Sequence, residues 1–325
     1  MSEHSFSHFI RTLGRGPGRS RALTREEARE ALGMVLRGEA DPHQVGAFLM
    51  LLRFRGEDPE EVAGLVEAAR EAIGAGPPPA GCAPVDLDWP SYGAGRTRDA
   101  PWFLLAALAL ARSGRRVLMH GSNEFSSGMP VSEALSMLGL RAATDRADAL
   151  HQLDATGFAY LPLATMSPAL AGLLDLRRLL GLRSPINTVA RLLDPFDACA
   201  GVDGVFHPPY IALHLAAAAR LGRRRLLVAK GGGGEVERNP AKPVVAQLHD
   251  RVSGRAEIEL PATLAGIGRT TARDLVAVWR GEAGGAERAT VLATLAMALL
   301  ATGDATSAAE ADASAEELWR RHVSG

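Results

Sequence analysis

Residues 101–128 read PWFLLAALALARSGRRVLMHGSNEFSSG, and this stretch decides the fold class. Positions 101–111 are apolar on every side, the pattern of a buried helix. Ser113-Gly114 breaks it, and Arg116-Val-Leu-Met-His120 follows as a short buried strand. The strand opens into His120-Gly-Ser-Asn-Glu-Phe-Ser-Ser-Gly128, a loop rich in small donors. Working outward, the alternation repeats. A helix is expected at 132–138, a strand at 158–161, a helix at 210–221, and a strand at 225–229 that runs into Gly231-Gly-Gly-Gly234. Strand, loop and helix in alternation predict a parallel sheet with helices on both faces. Ligands in such folds sit outside the carboxyl ends of the strands. Two further strands are expected at 244–248 and 257–260. The final helices are expected at 271–279 and 287–301.

The first 76 residues follow a different rule. Thr24 with Glu27 forms a capping box ahead of a helix that ends near Arg37. Asp41-Pro42 and Asp58-Pro59 open two more, with apolar residues at helical spacing behind them. Three short amphipathic helices make a small bundle whose surplus apolar surface suits a partner helix or a second subunit. Gly76-Pro77-Pro78-Pro79 begins a stiff linker. The expected organisation is therefore an all-helical domain over 1–76 and a larger α/β domain over 77–325.

Composition narrows the function classes. The 325 residues are 47% hydrophobic and 22% charged, with a formal net charge of -1. No apolar run is long enough to span a membrane, and residues 1–10 lack a secretory pattern. Two cysteines, Cys82 and Cys199, make neither a disulfide scaffold nor a four-cysteine zinc site. The expectation is a cytoplasmic protein with reduced thiols and no membrane partner. Of 36 basic residues only Lys230 and Lys242 are lysines. Arginine is the better bidentate partner of phosphate. Arg11, Arg15, Arg19, Arg21 and Arg25 crowd the N-terminal region against one acid, Glu3.

Three loops are expected on one sheet edge. Pro90-Ser-Tyr-Gly-Ala-Gly-Arg-Thr-Arg98 precedes a helix, so its backbone N–H groups can face an anion, with Arg96 and Arg98 adding charge. Gly93-x-Gly95 alone is a weak signal, and a plain turn is the favoured reading of it. His120, Gly121 and Ser122 begin the second loop, which is either a capped βα turn or a site. Lys230-Gly231-Gly-Gly233-Gly-Glu235-Val-Glu237 forms the third, where consecutive glycines permit close backbone approach to a ligand. Arg177, Arg178, Arg183 and Arg191 fall on expected helices and read as solvated surface or as a basic cluster. The run 223–225 precedes its strand, lies on the opposite edge, and reads as solvated.

The Gly-x-Gly, His-Gly-Ser and strand–glycine–acid loops, with Val205-Phe-His-Pro208 and Gly181-x-Arg183-x-x-x-Asn187, resemble the anthranilate phosphoribosyltransferase family (glycosyltransferase family 3) over nearly the whole chain. The resemblance implies a helical domain completed by residues near 167–190, a large α/β domain, and a homodimer through the helical domains. The sequence departs from the family where the metal and diphosphate would be held. The family's Gly-Thr-Gly-Gly-Asp loop is Tyr92-Gly-Ala-Gly-Arg96 here. Its Asp-Glu magnesium pair aligns with Glu235-Val236, with Glu237 one step on. Arg177 matches the position of the family's acceptor-binding arginine. Gly14-Arg-Gly16, Pro90-Ser-Tyr92, Gly234-Glu-Val236 with Asn239-Pro240, and Leu299-Leu-Ala-Thr-Gly303 resemble the YbiB-like branch, which is regarded as nucleic-acid-binding.

The resemblance therefore implies sequence-tolerant nucleic-acid binding without catalytic residues or cofactor. The implied phosphate contacts are Arg15, Arg19, Arg21, Arg96, Arg98, Arg177 and Arg178. The old diphosphate positions are Gly93, Gly95, His120, Gly121, Ser122, Lys230, Gly231 and Gly233. The alternative is a phosphoribosyltransferase with an altered acceptor, which would use magnesium on Glu235 and Glu237.

Overall fold

The computed structural model describes residues 5–16, 18–93, 100–122, 128–266 and 275–324. Four helices come first: α1 (Ser7–Gly14), α2 (Arg25–Leu36), α3 (Pro42–Arg55) and α4 (Pro59–Ala72). The sequence pattern predicts only the last three. In α1 the apolar side chains Phe9 and Leu13 are buried on one face. The expected caps are in place. Thr24 and Glu27 form a capping box, and Asp58 and Glu61 form a second one ahead of Pro59. Glu61 is fully buried, and its Oε1 also accepts from the backbone N–H of Leu23 at 2.7 Å and from Arg55 at 3.1 Å. A cap thereby becomes a tie between helices.

The second part alternates as expected but holds more elements. They are β1 (Leu87–Ser91), α5 (Trp102–Arg112), β2 (Val117–Gly121), α6 (Val131–Met137), α7 (Arg146–Thr156) and β3 (Phe158–Pro162). Short helices follow: α8 (Leu163–Met166), α9 (Pro168–Asp175), α10 (Arg177–Leu180) and α11 (Ile186–Arg191). Then come β4 (Ala200–Val205), α12 (Pro209–Arg220), β5 (Arg225–Lys230), β6 (Val244–Asp250), β7 (Gly254–Leu260), α13 (Leu275–Trp279), α14 (Ala286–Thr302) and α15 (Ala308–Ser324). The chain closes on α15, beyond the last helix that the apolar pattern predicts. That helix is largely polar and buries only Ala311, Ala315 and Trp319.

The sheet order is β3-β2-β1-β4-β5-β6-β7. β1 to β5 run parallel, and β6 and β7 are added antiparallel as a hairpin. The sheet is therefore mixed rather than wholly parallel. Strand order reverses at β1, with β2 on one side and β4 on the other, which makes the crevice beyond their carboxyl ends the expected ligand position. β1 tolerates Pro90 because its ladder to β4 ends at Asp88, two residues earlier, so the missing N–H interrupts no bond on that side.

Two large apolar clusters flank the sheet. One gathers α5, α14 and α15 with the strand residues Trp89, Met119, Val202 and Leu227. The other joins α1 to α4 with Leu170 and Leu173 of α9, Ile186 and Val189 of α11, and Leu215 of α12. Segment 163–193 is thus packed into the same core as the N-terminal helices.

Helices α2 and α4 meet at a point where only glycine fits. A Cβ on Gly64 would lie 2.1 Å from the Arg25 carbonyl oxygen, a backbone atom that cannot step aside. Gly64→Ala is therefore expected to cost about 1–3 kcal/mol through overpacking, against the small gain that alanine normally brings to a helix interior. Chemical denaturation of the two proteins measures the sign directly.

Candidate functional site

The end of β1, Gly204 of β4 and the start of the loop after β5 meet at one buried carboxylate. Glu235 is 1% exposed. Its Oε1 accepts from the Gly93 N–H at 2.5 Å and from the Ser91 hydroxyl at 3.2 Å. A Cβ on Gly93 would lie 2.3 Å from that same oxygen. Cβ atoms on Gly204 and Gly231 would meet the Glu235 backbone at 2.3 and 1.6 Å. The glycines read in the sequence as room for a ligand are, at Gly93 and Gly231, room for the return of Glu235. Gly233 has φ 64°, the left-handed conformation that lets the chain make that return. One step further, Glu237 Oε2 accepts from the Phe103 N–H at 3.2 Å, in the first turn of α5.

Beneath this junction lies a buried polar chain. The Tyr92 hydroxyl is 2.9 Å from His120 Nδ1. His120 Nε2 is 3.1 Å from Asp88, which faces Arg223 at 3.2 Å. Arg223 also reaches Asp194 at 3.4 Å. Burial opposes charge on Asp88, yet His120 and Arg223 hold its carboxyl below the usual range. Asp194 is pushed up, mainly by burial and also by Asp88 across the shared guanidinium. The run 223–225, read in the sequence as solvated, thus contributes a buried ion at Arg223. Gly121 is another close approach, with a Cβ position 1.9 Å from the Ser91 carbonyl, and Ser122 donates its N–H to that carbonyl at 3.1 Å.

Next to the junction a cleft of about 280 Å³ is lined by Arg53, Arg177, Arg183, Asn187, Arg191 and Tyr210 among others. Arg191 joins the two places. It donates to Asp203 at 3.1 Å, to the Gly204 carbonyl at 3.0 Å and to the Tyr92 carbonyl at 3.1 Å. The other oxygen of Asp203 pairs with His214 Nδ1. Burial raises the cost of this carboxylate, but His214 and Arg191 hold it below the usual range. Arg53 donates to the Tyr210 hydroxyl, which donates to Glu57 at 3.1 Å. Burial pushes the Arg183 guanidinium down from its ordinary value, and Arg177, Arg191 and Arg53 add to the effect.

The implied phosphate contacts do not gather in one place. Arg177 lines the cleft. Arg178 lies outside it, paired with Asp175 at 2.6 Å. Arg15 and Arg19 are exposed just beyond α1, and Arg21 is paired with Glu27 at 2.6 Å. Lys230 is exposed at the end of β5. Gly95, Arg96 and Arg98 lie outside the described residues. Sequence reasoning missed Arg53, Tyr210 and His214 as cleft residues, and Asp203 as the partner that holds Arg191 and His214. Arg183 and Arg191 carried a signal, as arginines with few acids near them in sequence.

This fold and site place the chain among the transferases that join a helical bundle to an α/β domain. The glycosyl transferase family helical-bundle domain matches residues 7–73, and the family's α/β domain matches residues 103–321. The chain belongs to glycosyl transferase family 3. It is 30% identical over 256 residues to the uncharacterized protein YbiB of Escherichia coli, covering 78% of this chain and 79% of that one. It is 31% identical over 305 residues to the anthranilate phosphoribosyltransferase of Moorella thermoacetica, covering 90% and 89%. Its fold matches that of the Thermus thermophilus anthranilate phosphoribosyltransferase with TM-score 0.78 and 24% identity, over 99% of both chains. The Saccharomyces cerevisiae enzyme, solved with PRPP and Mg, matches with TM-score 0.77 at 17% identity, covering 99% and 95%.

Of the carboxylates that a family magnesium would use, Glu235 has its Oε1 engaged by Ser91 and Gly93, and Glu237 its Oε2 engaged by the start of α5. Among the described residues no group of three or more His, Cys, Asp or Glu could hold a metal ion. A structural role makes a distinct prediction. Glu235→Ala leaves the buried Ser91 hydroxyl and Gly93 N–H without their acceptor. The expected loss is about 1–3 kcal/mol of stability in metal-free buffer, read by denaturant unfolding. A carboxylate kept only for metal would leave metal-free stability unchanged or improve it.

Proposed function

We propose that this family 3 chain binds phosphate-rich nucleic acid through its arginines and does not carry out metal-dependent phosphoribosyl transfer. The observation that carries this reading is the engagement of Glu235 by Ser91 and Gly93, beside a cleft in which arginines outnumber acids. Guanidinium groups bind phosphate without reading bases. At the junction Trp89, Trp102 and Tyr92 are buried, and the exposed Phe206 of the adjacent cleft is the aromatic face open to a base. Neither phosphate contacts nor stacking on such a face distinguishes one base from another, so binding is sequence-tolerant in this account. Self-association through the helical domain belongs to the same proposal, and the exposed apolar side chains Phe54, Leu179 and Leu182 support it.

The names of the relatives favour a second reading more directly: a phosphoribosyltransferase with an acceptor other than anthranilate. Most of the similar chains given above carry that enzyme's name. Under this reading Arg177 and Arg183 hold an anionic acceptor, and the metal arrives on the diphosphate rather than on a carboxylate pair.

Two titrations on one preparation separate the readings. Nucleic-acid binding is expected to weaken with salt, with a log–log slope of about -2 to -3 if three or four phosphates of a single strand are contacted. A flat slope, or no binding at low salt, rejects the first reading. Calorimetry with phosphoribosyl diphosphate and magnesium is expected to show no metal-dependent heat. Micromolar, magnesium-dependent binding establishes the second reading instead.

A further inference from the structure

Arg183 stands apart from every other arginine of the cleft. It is half-buried. Arg53 has the Tyr210 hydroxyl and Arg191 has Asp203, whereas no hydrogen bond or ion pair links Arg183 to any described residue. Three further guanidiniums, Arg53, Arg177 and Arg191, bear on it and disfavour its charge. Among the described residues Glu57 is the one acid on the cleft wall, and it already accepts from Tyr210. A half-buried cation without a counter-ion, among like charges, is costly unless an anion completes the site.

The size of the cleft limits that anion. At about 280 Å³, close to the lower end of the range for small-molecule pockets, it has room for one nucleotide-sized end group and not for a run of strand. Charge limits it further. A phosphodiester carries one negative charge, while a phosphomonoester carries close to two near neutral pH and offers three strong acceptor oxygens. A concentrated set of guanidiniums discriminates between them by charge and by bidentate geometry.

We propose that the cleft is an end-group site, which seats the terminal phosphomonoester of a nucleic-acid strand against Arg183, with Arg53 and Arg177 beside it. The proposal rests on the nucleic-acid reading above and names the part of the ligand that this cleft takes. The rest of the strand would lie on the outer surface, where binding is governed by ordinary phosphate contacts.

The test uses the full chain and internally labelled single strands of about a dozen nucleotides. One has hydroxyls at both ends, one a 5′-phosphate and one a 3′-phosphate. Fluorescence anisotropy at fixed salt is expected to show one phosphorylated strand binding about tenfold tighter than the hydroxyl strand. Arg183→Gln is expected to bring the two together, and Arg183→Lys to keep part of the gap because charge remains but the fork is lost. Equal affinity of all three strands for the unaltered protein overturns the end-group site and leaves nucleic-acid binding standing. This comparison needs no variant to fold. Failure of every strand to bind removes both. A nucleoside monophosphate that competes as strongly as the phosphorylated strand assigns the cleft to free nucleotides and overturns the strand-end assignment.

Discussion

Glu235 is the contact on which the ligand edge of the sheet depends. Its carboxylate accepts from the end of β1, and its own backbone passes within contact of Gly204 beyond the middle of β4 and Gly231 beyond β5. The ends of β1, β4 and β5 are thus tied to each other by one acid. A buried carboxylate is tolerable only when donors surround it. Here those donors are a hydroxyl and a backbone N–H, groups that in a diphosphate-binding loop would face the ligand. Gly93 turns its N–H toward a side chain of its own chain.

Arginine completes this inward turn. Arg191 reaches from the last residue of α11 to Asp203, Gly204 and Tyr92, so its charge sits between the cleft and the junction. Arg223 plays a parallel part on the far side, shared between Asp88 and Asp194. Buried ion pairs add little net stability, but removing one partner is expensive. Their effect is to fix geometry. They leave Arg183, which faces the same cleft without a partner among the described residues, as the group whose electrostatics an incoming ligand would relieve.

Much of this architecture was legible in sequence where period and capping agreed. The capping box at Thr24 and the starts at Pro42 and Pro59 appear where they were expected. So do β2, β3 and β5. β4 was not expected, because Ala-Gly-Val-Asp-Gly-Val is poor in strand formers. Its glycines admit Arg223 and the Glu235 backbone, and Asp203 is held by Arg191 and His214. Such compensation between distant residues leaves no periodic signal. α7 and α15 were missed because they are mostly polar and bury few side chains. For the site, the family motifs located the junction, but the cleft was hidden because Arg53, Arg183 and Tyr210 come from three separate elements. Helical arginines read as surface until the fold brings them together.

The most direct test of the central claim is the environment of a divalent ion. Manganese can stand for magnesium in an electron paramagnetic resonance titration of the protein with phosphoribosyl diphosphate. With Glu235 closed onto Ser91 and Gly93, the ion is expected to stay with the free diphosphate and to show no protein-dependent signal. A bound-manganese spectrum that disappears in Glu235→Gln would contradict the account, because it would place the ion on the carboxylate said here to belong to the fold.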